Sequence, residues 1–371
     1  MKLAKVYAAV LLSFSLIACA GPNNANEPAS FFQSGETTDF TFQSNGLELS
    51  GVFDTPSNRP AKALILFVHG YGGTDIHANG SFGDLRRRFG EIGIASAVWD
   101  KPGQGRSEGN FDINQSVYDS AQEVVDAANA LRAMNAPGSA KIGIWGISRA
   151  GWIAPLAIQQ DPDLSFWISV SGVVGEDNFP YLLLSNLPHE GGSLEQAENL
   201  SAEWQEGCAL QRTGASYDAY LEATQALRAN AYFLQMRGPW QTRAQYEAQQ
   251  TVCANGTCDG IDDTFCSYIY VPEFQQTLRA VDADVLALFG EKDLNVDWRK
   301  TLALYEETIG QNPNASLTTK TYPDADHNLN IAETGSLQEM LTMVSRQKSG
   351  GYYDLQIEWL EMHVLEKEGS E

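Results

Sequence analysis

One serine in this chain is framed by its neighbours for nucleophilic attack. Gly146-Ile147-Ser148-Arg149-Ala150-Gly151 directly follows the apolar run Lys141-Ile142-Gly143-Ile144-Trp145. A short strand therefore ends in glycine, turns on Ser148 and resumes with small residues. Such a turn pushes the hydroxyl out of the backbone, and its strain and close contacts require small flanking side chains. Ala150 stands where a G-x-S-x-G pattern has its second glycine, so Ala150 with Gly151 meets that demand at the cost of one methyl group. The competing role for Ser148 is that of a helix cap.

Acyl transfer from a serine also needs a base, a carboxylate that orients the base, and backbone N–H groups facing the developing oxyanion. Asp293 lies in Phe289-Gly290-Glu291-Lys292-Asp293, just past the apolar run Asp284–Phe289. His327 lies in Pro323-Asp324-Ala325-Asp326-His327-Asn328, just past Leu317–Tyr322. The chain has five histidines, and only His69 and His327 occupy such exits. Val68-His69-Gly70-Tyr71-Gly72-Gly73 follows a further apolar run. Its glycines let backbone N–H groups approach a ligand. The expected oxyanion donors are the N–H groups of Arg149 and Tyr71, with Gly72 as the alternative to Tyr71. His327 is the preferred base, because a histidine ahead of the loop glycines is better placed to hold that loop by hydrogen bonds.

These residues share one place only if the elements bring them there. Phe40–Gln43 and Leu47–Phe53 read as edge strands of a hairpin around the turn Asn45-Gly46. Ala61–Val68, Ile92–Trp99, Lys141–Trp145 and Phe166–Val170 read as buried strands. Between them, Phe82–Glu91, Ser116–Met134 and Arg149–Gln159 read as helices. This alternation implies a mostly parallel sheet with helices on both faces, where strand exits share one edge. The rhythm breaks at Ser171, and helical segments are expected near 194–206, 216–237 and 240–252. It resumes with Asp284–Phe289, a helix over 297–309, Leu317–Tyr322, and helical segments within 335–346 and 352–366. The aromatics Phe179, Tyr181, Tyr217, Tyr220, Tyr232, Phe233, Trp240 and Tyr246 lie in the interrupting stretch, either packed together or lining an apolar substrate pocket.

Composition narrows the function classes. With 24 Lys and Arg against 47 Asp and Glu, the net charge of −23 argues against nucleic-acid binding. Met1-Lys2-Leu3-Ala4-Lys5 is a basic start, and Val6–Ile17 is an apolar stretch too short to span a bilayer comfortably. Leu16-Ile17-Ala18-Cys19 resembles the lipobox of bacterial lipoproteins, which implies cleavage before Cys19 and its lipidation. Residues 19–36 then form a tether. Such a protein sits in the bacterial cell envelope, anchored to the outer membrane and facing the periplasm or the exterior. In that oxidising setting Cys208, Cys253, Cys258 and Cys266 are expected to form disulfides, with zinc ligation and free thiols as the alternatives.

The chain resembles the α/β-hydrolase superfamily, in particular bacterial exported or membrane-linked esterase and peptidase-like hydrolases. The motifs that carry the resemblance are Leu49-Ser50-Gly51-Val52-Phe53-Asp54-Thr55-Pro56, His69-Gly70, Asp100-Lys101-Pro102-Gly103-Gln104-Gly105-Arg106-Ser107-Glu108-Gly109 and the Ser148 elbow. They lie within residues 46–171, and the likeness returns over 284 to about 330. It implies an α/β-hydrolase fold with a mainly helical lid insertion: a signal peptide over 1–18, core over 37–171, insertion over 172–283, and core again over 284–371. It also implies Ser148 as nucleophile, Asp293 as acid and His327 as base. Pro102, Ile147, Arg149 and Ala150 depart from the family pattern. Arg149 reads either as a surface salt-bridge residue or as a cation near the pocket that holds an acidic substrate group.

The expected activity is carboxylic-ester hydrolysis through an acyl-enzyme on Ser148, without metal or organic cofactor. The substrate would be a small-molecule ester or a short peptide. Amide or peptide cleavage by the same triad is the alternative, and a non-catalytic envelope lipoprotein with this fold is the rival from another class.

Overall fold

Strands form where apolar runs can bury side chains on two faces at once. The computed structural model describes residues 33, 35–77, 82–113, 115–173, 178–237, 240–254, 271 and 273–366. Its sheet has β1 (Thr37–Ser44), β2 (Leu47–Asp54), β3 (Ala63–Val68), β4 (Ile94–Trp99), β5 (Ile142–Ile147), β6 (Leu164–Val170), β7 (Asp284–Gly290) and β8 (Ser316–Tyr322). The order is β1-β2-β4-β3-β5-β6-β7-β8. β2 runs antiparallel to β1 and β4, and the remaining pairs are parallel. Asn45 and Gly46 both take positive φ, 50° and 79°, as a two-residue hairpin turn requires. Only one strand of that hairpin is an edge, because β2 also pairs with β4.

The core helices are α1 (Gly83–Glu91), α2 (Val117–Ala133) and α3 (Ala150–Gln160). Between β6 and β7 come α4 (Phe179–Asn186), α5 (Leu194–Arg212), α6 (Tyr217–Ala223), α7 (Gln225–Ala229), α8 (Ala231–Arg237), α9 (Arg243–Ala254) and α10 (Phe274–Arg279). Then follow α11 (Trp298–Glu307), α12 (Leu337–Thr342) and α13 (Tyr352–Leu360). Side chains alternate along each strand. In β3, Leu64, Leu66 and Val68 belong to the apolar core shared with α2, α3 and α11, whereas Ile65 and Phe67 belong to the one that holds Phe89 of α1 and Trp359 of α13. The result is a mostly parallel sheet with helices on both faces and a helical insertion, an α/β-hydrolase architecture.

The insertion departs from its sequence reading in detail. The single helix expected over 216–237 is three, broken at Thr224 and Asn230. The Asn230 backbone is extended (φ −80°, ψ 119°), and its Oδ1 accepts from Phe233 N at 2.9 Å. A short polar side chain thus ends one helix and starts the next. Helix α4, at eight residues, is too short to show its periodicity in sequence.

The insertion aromatics mostly pack on each other. Ring centroids lie 4.5 Å apart for Phe179–Trp204, 5.5 Å for Phe233–Trp240, 5.5 Å for Tyr220–Trp240 and 5.4 Å for Tyr217–Tyr246. They are the insertion's own core.

The expectation of disulfides among Cys208, Cys253, Cys258 and Cys266 is overturned: no disulfide is found among the described residues. Cys208 is instead buried with Leu200, Trp204 and Phe233, where a thiol packs as a small hydrophobe. Cys253 is on α9, and Cys258 and Cys266 lie outside the described residues, as do the signal segment over 1–18, Cys19 and most of the tether. The sequence also pointed to a membrane association. Among the described residues no helix is long and apolar enough to cross a membrane, so no spanning helix supplies that association there.

Candidate active site

Ser148 leaves β5 in the left-handed region, at φ 57°. Three backbone bonds hold it there: Ser148 N donates to Val170 O (2.9 Å), and Ser148 O accepts from Gly151 N (2.8 Å) and Val173 N (3.2 Å). Ser148 is not the helix cap, since Arg149 occupies that position on α3 and no side chain caps it. The glycine pattern now has a steric reason. A Cβ on Gly146 would stand 2.6 Å from the Ala150 Cβ, so the methyl at 150 is accommodated because 146 has none. A Cβ on Gly151 would stand 2.5 Å from Val173 N, so a glycine at 151 lets the elbow approach the chain beyond β6 closely.

Asp293 and His327 meet beyond β7 and β8. His327 Nδ1 and Asp293 Oδ2 are 2.8 Å apart, with both side chains buried. The other carboxylate oxygen of Asp293 accepts from Asn295 N (2.8 Å) and Val296 N (2.9 Å), which fixes its plane. The two loops cross closely at Gly290, where a Cβ would stand 2.3 Å from Asp326 O. Asp326 Oδ1 accepts from Asn328 N (2.8 Å) and Asn330 N (2.9 Å) and shapes the histidine turn. Burial alone would lower the His327 pKa. The charge and hydrogen bond of Asp293, with Asp326 beyond it, carry it above the ordinary imidazole value. Ser148 stands at the same sheet edge, two strands from β7, and is not hydrogen-bonded to His327. In free enzymes this contact is often long and tightens with substrate.

The glycine loop after β3 lies directly on the serine. A Cβ on Gly70 would stand 3.2 Å from Ser148 Cβ and 3.3 Å from Ile147 O. The Tyr71 side chain is exposed. His69 is a different case from His327. Burial, reinforced by Lys101, pushes it down to about 3, and its ring packs 5.0 Å from Phe82. It is a neutral imidazole whose Nε2 makes no hydrogen bond, so at that atom it does not hold the loop in the expected way.

Residues 59–205 match the family model described as serine aminopeptidase, S33. The protein is a serine hydrolase. The hydrolase is similar to solved structures at low identity. The esterase Pf2001 of Pyrococcus furiosus aligns with a TM-score of 0.49 at 13% identity, over 88% of this chain and 90% of that one. Est1E of Butyrivibrio proteoclasticus, solved with ferulic acid bound, aligns at 0.49 and 15%, over 89% and 100%. The acylaminoacyl peptidase of Pyrococcus horikoshii aligns at 0.49 and 14%, over 89% of this chain and 41% of that chain. No curated protein matches the sequence.

The hydrolase buries a charged cluster behind the elbow that sequence reasoning did not foresee. Arg149 is 3% exposed, so its side chain is not on the surface. Its guanidinium donates to Ser120 Oγ (3.0 Å) and to the Gln115 carbonyl. Glu123 of α2 accepts from Trp99 Nε1 (3.3 Å) and from Gln115 Nε2. Burial raises Glu123 to about 7, against the lowering effect of those hydrogen bonds and of Arg149 and Lys101. Lys101, just past β4, is lowered to about 7 by burial and by Arg149, with Glu123 opposing. The adjoining cavity, about 20 Å³ and lined by His69, Lys101, Glu123 and Arg149, has room for about one water. The one sequence signal for this cluster was Glu123, a charge on the apolar stripe of α2.

The insertion grips the acid loop. From the start and the body of α4, Asn178 Nδ2 donates to Asn295 O (2.5 Å), Tyr181 Oη to Asp293 O (2.9 Å), Ser185 Oγ to Leu294 O (2.5 Å) and Asn186 Nδ2 to Leu294 O (2.7 Å). Asn186 Oδ1 in turn accepts from Leu337 N at 2.7 Å. Four side chains of the insertion thus take up the carbonyl groups of three consecutive loop residues.

Proposed function

We propose that this serine hydrolase cleaves carboxylic esters through an acyl-enzyme on Ser148. The observation that carries the reading is the buried 2.8 Å Asp293–His327 pair at the sheet edge where Ser148 is held at φ 57°. In this reading His327 takes the Ser148 proton as the hydroxyl attacks the ester carbonyl. Asp293 holds the ring and stabilises the imidazolium. The N–H groups of Arg149 and Tyr71 receive the oxyanion, and His327 returns the proton to the leaving alkoxide. Water, deprotonated by His327, then releases the acid. Amide cleavage requires the same parts with a poorer leaving group.

A panel of p-nitrophenyl esters of increasing acyl length, run beside aminoacyl and peptide anilides across pH, tests this. Ester kcat/KM is expected to exceed that for the anilides. The base must be neutral to act. Activity therefore falls as pH drops through the His327 pKa, placing the acid limb above the ordinary value of about 6.5. Faster anilide than ester cleavage would overturn the ester assignment. An acid limb at or below the ordinary value would overturn the role of His327.

Export and lipid attachment at Cys19 rest on the Leu16-Ile17-Ala18-Cys19 segment. Acyl-chain labelling of the wild type but not of Cys19→Ser is the expected outcome; equal labelling would remove the assignment.

A further inference from the structure

Lys101 is a half-buried cation whose two ammonium hydrogen bonds both go to one loop. Its Nζ donates to Gly70 O at 2.6 Å and to Gly72 O at 2.8 Å. In a trans peptide the carbonyl and the following N–H point in opposite directions, and there is no cis bond among the described residues. Drawing the Gly70 carbonyl toward Lys101 therefore turns the Tyr71 N–H away from it. Ser148 lies against this same stretch, through its contact with Gly70.

We propose that Lys101 is the positioning residue of the oxyanion loop: by holding the Gly70 and Gly72 carbonyls, its ammonium aims the Tyr71 N–H at the substrate carbonyl. This rests on the reading of Ser148 as the nucleophile. Lys101 touches no reacting atom and acts through the loop. The groups that face it are Glu123 from α2, Arg149 at the start of α3 and His69 at the end of β3.

Stability alone does not account for an ammonium here. The Lys101 pKa is lowered to about 7, below its unfolded value of about 10.4. Between those values the unfolded chain binds the proton more tightly, so stability rises with pH and the protonated form carries a folding penalty. What the charge supplies is strength in the two loop bonds, since hydrogen bonds from an ionised donor are about twice as strong as neutral ones.

The test is Lys101→Met, which keeps length and removes the donor. We expect kcat to fall about 10- to 100-fold with KM within about twofold, because oxyanion donors act mainly in the transition state. Wild-type kcat is expected to decline on the alkaline side as Lys101 loses its proton, and Lys101→Met to lack that limb. An unchanged kcat in a folded Lys101→Met protein, or an alkaline limb that persists in it, overturns the proposal. Should that variant not fold, Glu123→Gln decides. It leaves both loop bonds in place and removes the charge that raises the Lys101 pKa, so the alkaline limb must move to lower pH; an unmoved limb overturns the proposal. Labelling of the wild type by a fluorophosphonate separates the two readings. No labelling counts against Ser148 itself, whereas labelling with unchanged Lys101→Met kinetics counts against Lys101 alone.

Discussion

Replacing Ser148 with alanine is expected to lower ester turnover by about 10⁴-fold or more while the protein stays folded. The reason for the first half is chemical: without the hydroxyl no acyl-enzyme forms, and only the polarising groups around the carbonyl remain. The reason for the second half is structural. The bonds that hold the elbow use the backbone of Ser148, to Val170, Gly151 and Val173, and its side chain adds no hydrogen bond to the fold. Alanine has the same Cβ, so the cost of φ 57° is unchanged. Initial rates with a p-nitrophenyl ester and a thermal melt read both halves together. A folded Ser148→Ala protein that retains turnover would remove Ser148 from the reaction.

Gly146→Ala is expected to destabilise the protein by about 1–3 kcal/mol, the usual cost of forcing a methyl into a packed site. The new Cβ would stand 2.6 Å from that of Ala150, both at the elbow, so activity should fall with stability. Ala150→Gly alone costs at most about 1 kcal/mol of helix propensity. In the double variant Gly146→Ala/Ala150→Gly the clash is gone and the methyl has merely changed sides. Its stability and rate should recover most of the loss, giving a coupling of about 0.5–3 kcal/mol between contacting residues. Denaturant melts of the four proteins measure it. Additive effects would mean that the elbow relaxes around the extra methyl and that the pairing of Gly146 with Ala150 has no steric basis.

The strand exits were legible because their signals are local. Unbroken apolar runs marked β3 to β7, and three of them, β3, β5 and β7, were followed by the residue types that acyl transfer needs: the glycine loop at 70–73, Ser148 and Asp293. The weaker run of β8, with exposed Thr319 and Lys320, was still bounded well enough to put His327 just past its end. Arg149 was not legible. Its surroundings come from Gln115 and Ser120, 34 and 29 residues earlier, and no local pattern says that a charged side chain will turn inward. The grip of α4 on the acid loop joins residues more than a hundred positions apart, and the short helix left no periodic trace. The cysteines misled for a related reason, since an exported chain permits disulfides but only the fold decides which thiols can meet.

By itself, then, the sequence determined where the sheet strands lie along the chain and the residue types at their ends, because strand burial and tight turns depend on neighbours within a few positions. Tertiary structure decided how those residues are used. It sent the Arg149 side chain behind the elbow and placed Lys101 on the glycine loop. It spent most of the insertion's aromatics on its own core, and it set Gly151 close against Val173. Each of these depends on side chains from distant segments competing for one volume. The alanine in the serine motif is the clearest case, tolerated because the space its methyl fills is left open by Gly146.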